Sequence, residues 1–268
     1  MNQGTAPDTA GWSLRTRGPA HVVSHKCLSA QRAARPRRFF GRLFGLDPLH
    51  PDAHASYRGA LGELRVGRIL RDLGPDWRVL HALPQGHGDA DFDHLVIGPA
   101  GVFTIRTTNQ FGRRIRVDGR TMFAGGQRTT DITSAELEAH AAQQSLIRAT
   151  GTKIAVHPIV AVVDPAEIVR TDDIEPVAVV SARRLVEYLR GLPAVLTVEV
   201  VASIARVAED WTTWRPLSID SVHSDPDDDF DGLRYEVDRA RERRAVWRLS
   251  AVAGVSITVF GCMSVLFS

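Results

Sequence analysis

Lysine is almost missing from this 268-residue chain: Lys26 and Lys153 are the only two among 33 basic side chains. Chemistry that needs an ammonium group is confined to those two positions, and every other positive side chain is a guanidinium, which does not deprotonate in proteins. Cysteine is equally scarce. Cys27 lies in a stretch without periodicity and Cys262 in an apolar run, so a disulfide framework is excluded and a reducing compartment fits. The N-terminus lacks the roughly 7–15-residue apolar segment of a secretory signal, so the main domain is expected to stay in the cytoplasm. Also absent are a G-x-S-x-G elbow, a phosphate-binding P-loop and a Cys–His nucleophile pair.

What is present suits a globular domain with appendages. Hydrophobic residues make up 44% and charged ones 24% of the chain, enough for a sizeable core. The net charge of +2 indicates no partner, but its distribution is uneven. Arginines crowd residues 32–42 and 239–248, while 225–231 form an acidic run. In the first cluster Arg35, Arg37, Arg38 and Arg42 alternate with Phe39, Phe40 and Phe44, a pattern open to nucleic acid, an anionic membrane surface or a plain solvated linker. The composition divides the chain into a disordered basic arm (1–54), a folded domain (55–214), an acidic linker (215–238) and a basic flank with a terminal helix (239–268).

Periodicity predicts the elements of the folded domain. A helix is expected over 56–73, ended by Gly74-Pro75, then strands over 77–83, 92–97 and 102–107, the last two joined by a tight turn at Gly98-Pro99-Ala100-Gly101. A hairpin follows over 114–117 and 121–123, turning at Asp118-Gly119, then a helix over 134–150 and a buried strand over 154–163. A further strand (177–180) and two helices complete the domain, the first capped by Ser181 and the second running over 197–209. The order of helix, three strands, helix and strand is an α/β core.

The terminal segment reads as a membrane span. Leu249 and Phe267 bound nineteen positions without a charged residue, about 28 Å as a helix and close to a bilayer core. Arg239, Arg241, Arg243, Arg244 and Arg248 precede it, so the positive-inside rule puts the domain on the cytoplasmic side of a single-pass protein. Ser250, Gly254, Thr258 and Cys262 recur every fourth position, a small-residue stripe that suits a homodimer through the terminal helix.

Three short runs carry the chemistry. Gly59-Ala60-Leu61-Gly62-Glu63 opens the first helix, Asp91-Phe92-Asp93-His94-Leu95-Val96-Ile97-Gly98-Pro99 is a strand entering a turn, and Gly101-Val102-Phe103-Thr104-Ile105 begins the next strand. Together they resemble the nuclease-related domain (NERD) family, a branch of the PD-(D/E)XK nuclease superfamily, over about residues 58–165. The resemblance implies a restriction-endonuclease-like core in which strand carboxylates hold a divalent metal such as Mg²⁺. That metal lowers the pKa of a bound water and stabilises charge on the scissile phosphate, with a lysine two residues beyond a glutamate on the same strand face. Glu63 and Asp93 fall at the helix-glutamate and strand-aspartate positions. Where the family pattern reads Ile-Glu/Asp-Thr-Lys-Asn, however, this chain reads Ile105-Arg106-Thr107-Thr108-Asn109. Arg106 puts a permanent positive charge where the cation would bind, and Thr108 supplies none in place of lysine.

The expected function is therefore a membrane-tethered, catalytically inactive module that binds nucleic acid or protein and needs no cofactor. Arg106 is expected to pair with Asp93, and with Glu63, in the structural place of the metal. The alternative is a divergent divalent-metal-dependent nuclease in which Asp89, Asp91, Asp93 and Glu63 hold Mg²⁺ and Arg113 or Arg114 replaces the lysine. Asp91 and Asp93 are weak metal candidates beside the plainer reading of a polar strand start. Gln143, with Gln144, could approach the site from the second helix, or simply lie on its surface. His81, His94 and His157 lack metal-ligand spacing and read as core or surface residues.

Overall fold

The computed structural model describes residues 14–32, 43–85, 91–171, 177–214 and 227–266, with side chains from residue 229 to 250 in the last stretch. The chain forms two compact units, one of residues 1–23 with 57–223 and one of residues 24–56 with 224–268.

The first unit is built on a five-stranded sheet of order β1 (Arg78–Pro84), β2 (Asp91–Gly98), β3 (Gly101–Asn109), β7 (Val156–Val163) and β9 (Ala178–Ser181). β1, β2 and β3 pair antiparallel, while β3–β7 and β7–β9 are parallel. The β2–β3 turn requires its first glycine: a Cβ on Gly98 would fall 2.1 Å from the Trp77 ring. Helices cover both faces, which explains why β7 is apolar and buried without interruption from Ile159 to Val163. On one face α2 (Ala53–Leu70) and α4 (Leu185–Gly191) bury Val66, Leu70, Leu185 and Leu189 against Val96, Phe103, Ile105 and Ile159. On the other, α3 (Asp131–Thr150) and α5 (Val198–Glu209) place Ala139, Ala142, Leu146, Val201 and Ile204 against Leu95, Ile97 and Val102.

A four-stranded sheet of order β6 (Gln127–Thr129), β5 (Thr121–Ala124), β4 (Arg114–Asp118) and β8 (Glu167–Arg170) adjoins it, with β4 and β8 parallel. The chain passes from β3 to β4 and from β7 to β8 side by side. Gln110 donates to the Val163 carbonyl at 3.3 Å, Gly112 to Asp164 at 2.9 Å and Ala166 to Arg113 at 2.9 Å. At this corner Asp164 takes a φ of 44°, a left-handed conformation uncommon outside glycine. Its carboxylate is held by Arg65 at 2.7 Å and Arg183 at 2.8 Å.

The α/β core follows the order expected, with differences of local origin. The α2 helix opens at Ala53, and α3 opens at Asp131 because Ile132 joins its buried face. Gly151 ends α3 with a φ of 68°. Ser181 does not cap the next helix: its side chain makes no cap hydrogen bond, and a 3-10 turn (Ala182–Arg184) intervenes before α4. Thr197 does cap α5, accepting from the Val200 amide at 3.5 Å. The arm expected to be disordered contains structure: a 3-10 turn at Leu14–Thr16 and α1 (His21–Arg32). Helix α1 buries Ser24 and Cys27, small polar side chains that leave no hydrophobic period to read.

In the second unit Gln31 ties α1 to the chain ahead of α2, donating to the Pro48 carbonyl at 2.7 Å and accepting from the His50 amide at 2.9 Å. Cys27, expected in a loose tail, is buried with its thiol 3.8 Å from the Ala53 carbonyl, and burial pushes its pKa up to about 11. Helix α6 (Asp227–Leu266) begins within the acidic stretch that was expected to be linker. Residues 43–45 strap across it: Arg244 donates twice to the Gly45 carbonyl, at 3.0 and 2.9 Å, and Trp247 donates to Leu43 at 3.0 Å. A Cβ on Gly45 would meet the Ala240 carbonyl at 2.3 Å. Among the described residues no helix is long and apolar enough to cross a membrane. The side chains of most of the expected span, Leu249 to Phe267, lie outside the described residues.

Candidate functional site

Strand alternation builds the site where β2 and β3 part. Their ladder runs from Gly98 opposite Gly101 to His94 opposite Ile105 and stops there. Beyond it the Asp93 carboxylate replaces a main-chain acceptor, taking the Thr107 amide hydrogen at 2.6 Å. On the other side of β2 the ladder omits Ala82, whose φ is 49°. Asp93 thus stands at a splayed strand end, and its own bond satisfies a backbone donor that would otherwise be orphaned.

Alternation along β3 sends Arg106 and Thr108 towards α3 and Thr107 towards α2. Arg106 finds its partners on that helix: Nη1 donates to Glu138 Oε1, and Nε lies 3.5 Å from Asp131 Oδ1. Asp131 opens α3 and Glu138 follows two turns later on the same face, so one guanidinium reaches both. This corrects the expected pairing of Arg106 with Asp93 and Glu63. Those two lie within electrostatic range, but Asp93 accepts from Thr107 and Glu63 from the Ala20 backbone. Thr108 is buried and its hydroxyl accepts from Gln110 at 3.0 Å.

Burial dominates the electrostatics. Removal from water raises the Glu63 pKa well above the carboxylate range, and the Asp93 and Asp91 charges raise it further. Burial raises Asp93 as well, against the Thr107 hydrogen bond and the Arg106 charge. Glu138 is pushed up to about 7, chiefly by burial, although Arg106 favours its ionised form. For Arg106 burial disfavours charge, but Glu138, Asp93 and Asp131 together hold its pKa above the usual value.

The remaining predicted residues are placed elsewhere. Asp91 pairs with Arg17 at 3.3 Å, whose guanidinium lies 5.8 Å from the Trp211 ring. Asp89 lies outside the described residues. Arg113 reaches Gln110 at 3.4 Å and Arg114 pairs with Glu167 at 2.5 Å, contacts that lie away from Glu63 and Asp93. Gln143 accepts from the Val156 amide at 3.2 Å, joining α3 to the start of β7 rather than entering the site, and Gln144 is exposed. Beneath the site His81 and His94 share one hydrogen between their Nδ1 atoms at 2.8 Å, and His94 Nε2 lies 3.4 Å from Thr107 Oγ1. Burial keeps both neutral, His81 at about 4 and His94 well below the ordinary histidine range. His157 lies against Phe103 at 5.7 Å.

These residues do not fit a divalent metal held by strand carboxylates. Arg106 sets a fixed positive charge among these carboxylates, Asp91 is drawn to Arg17 and Asp93 to an amide. Among the described residues no group of three or more His, Cys, Asp or Glu side chains is arranged to hold a metal ion. Sequence reasoning missed Arg17, Asp131 and Glu138. Glu138 did carry a signal: it is an acidic residue on the helix face that buries Ile132, Ala135, Ala139 and Ala142, and a buried carboxylate needs a buried partner.

A helix glutamate, a strand-end aspartate and a substituted position on the next strand, set in a mixed α/β core, are consistent with the PD-(D/E)XK class of nuclease folds. Residues 58–163 match the family model of the nuclease-related domain, and the chain carries that domain there. No match was found among curated proteins or among solved structures.

Proposed function

We propose that the nuclease-related domain of this chain is a non-catalytic binding module, tethered to a membrane by its terminal helix. The observation that carries the reading is Arg106, a permanent cation at the family's glutamate position, engaged by Asp131 and Glu138. A metal ligand set would have to displace that guanidinium, and Thr108 offers no charge in place of the lysine. The tether is supported by the uncharged run from Leu249 to Phe267 and by the arginines before it. On this reading the domain faces the cytoplasm. The ligand is nucleic acid or another protein, and a tail-mediated homodimer follows from the small-residue stripe.

The deciding experiment is a cleavage assay of the full chain in detergent micelles, on single- and double-stranded DNA and RNA with Mg²⁺ or Mn²⁺. No cleavage is the expected result. Cleavage that vanishes in Asp93→Ala would overturn the reading and establish a rebuilt metal-dependent nuclease. Membrane fractionation before and after deletion of residues 249–268 tests the tether; a protein that stays soluble with the segment intact would sink it.

A further inference from the structure

The four-stranded sheet buries one face and opens the other. Ile115, Val117, Met122 and Ala124 pack inward against Val160, Val162 and Val179, so alternation turns Arg114, Arg116 and Phe123 outward. The ladder sets Arg116 opposite Phe123 and Phe123 opposite Arg128, a direct cross-strand row over three strands. The Arg116 guanidinium lies 4.2 Å from the Phe123 ring centre, which offers a flat, cationic surface to incoming planar groups. Arg128 is exposed and makes no ion pair among the described residues.

We propose that this outer face binds single-stranded nucleic acid, with a base stacked on the Arg116–Phe123 pair and phosphates against Arg128 and Arg114. The inference rests on the binding-module reading and names its ligand and surface. Splayed bases need planar platforms flanked by cations, which this row supplies. A duplex keeps its bases stacked inside and would use only the charges. The carboxylates nearby are weak competitors. Asp118 pairs with Arg116 at 3.4 Å and Glu167 with Arg114 at 2.5 Å, all four side chains about half exposed or more, where such pairs contribute little. Phosphate can therefore exchange for carboxylate, whereas the Arg106 guanidinium is already engaged by the buried Glu138 and by Asp131.

The test is fluorescence anisotropy of a short fluorescein-labelled oligothymidylate with the full chain in detergent micelles, with EDTA present so that binding is read apart from cleavage. Binding should weaken steeply with salt and exceed that of a duplex of matched length. Phe123→Ala should lose about tenfold in affinity. Arg116→Lys, which keeps the charge and removes the plane, should also lose affinity, and Arg128→Glu should lose affinity and flatten the salt dependence. Thermal unfolding by circular dichroism checks that each variant is folded. Absence of binding, or binding unchanged by these substitutions, would overturn the assignment and leave the face to a protein partner. Either result leaves the non-catalytic reading intact, because cleavage decides that separately.

Discussion

Arg106 on β3 and Arg116 on β4 are both strand arginines in the same domain, and the chain surrounds them differently. Arg106 is closed in by carboxylates from a helix far along the sequence. Arg116 stands half open, over a phenylalanine of the neighbouring strand and beside an aspartate two residues away. In the first region a guanidinium is a structural element whose loss strands other buried charges. In the second it belongs to the surface, where its partners are replaceable and its charge is available to a ligand. The contrast shows why arginine content alone says little: position relative to the core decides whether the charge holds the fold together or offers it to something else.

Removing the Arg106 charge should break the comparison most sharply. Arg106→Ala is expected to destabilise the fold by about 3 kcal/mol, since Glu138 and Asp131 lose their cation in a buried place. Urea unfolding measures it, and an unchanged midpoint would contradict the structural role. Replacing the pair together with apolar residues, Arg106→Met with Glu138→Leu, should recover much of that loss.

A smaller, pH-dependent effect is expected at Glu138. Its folded pKa of about 7 exceeds the ordinary glutamate value, so the folded state binds the proton more tightly and stability falls as pH rises from about 4.5 through 7. His81 acts in the opposite sense: its folded value of about 4 lies below the unfolded one, so its contribution is lost as pH falls from about 6.5. Between about pH 7 and 8 the histidine contribution is nearly complete and the buried carboxylates, Glu63 as well as Glu138, still contribute. Glu138→Gln should therefore change stability by about 1 kcal/mol and flatten the decline in that interval, read from urea midpoints. A decline as steep as in the parent chain would assign it to other carboxylates.

On the outer sheet the effects should be smaller still. Phe123→Ala should cost less than about 1 kcal/mol, the scale of an exposed cross-strand pair with a cation over the ring. Arg128→Glu should stay within about 0.5 kcal/mol of the parent. A loss comparable to that of Arg106→Ala at either position would erase the distinction between the two regions.

Much of the fold was legible because it rests on local periodicity. The turn at Gly98-Pro99, the apolar run of β7 and the Asp118-Gly119 hairpin all announce themselves within a few residues. Glu63, Asp93, Arg106 and Thr108 were placed by the motif they share or break. The partners of Arg106 were not legible in the same way, because Asp131 and Glu138 lie 25 and 32 residues further along and only the packing of α3 on β3 brings them in. Gln143 was a candidate only as a glutamine of the second helix able to approach the site, and its direction around that helix sends it to the start of β7. Helix α1 escaped notice because a face made of serine and cysteine gives no hydrophobic rhythm.

The corner at which β3 and β7 turn together into β4 and β8 has a consequence for how the domain breathes. Two parallel strands that bend side by side, with amides of one bonded to carbonyls of the other across the bend, cannot unzip one sheet without pulling on its neighbour. Hydrogen exchange at Gly112 and Ala166 should then be as slow as at the centre of β7, marking both sheets as one cooperative unit rather than a rigid core with a loose flap.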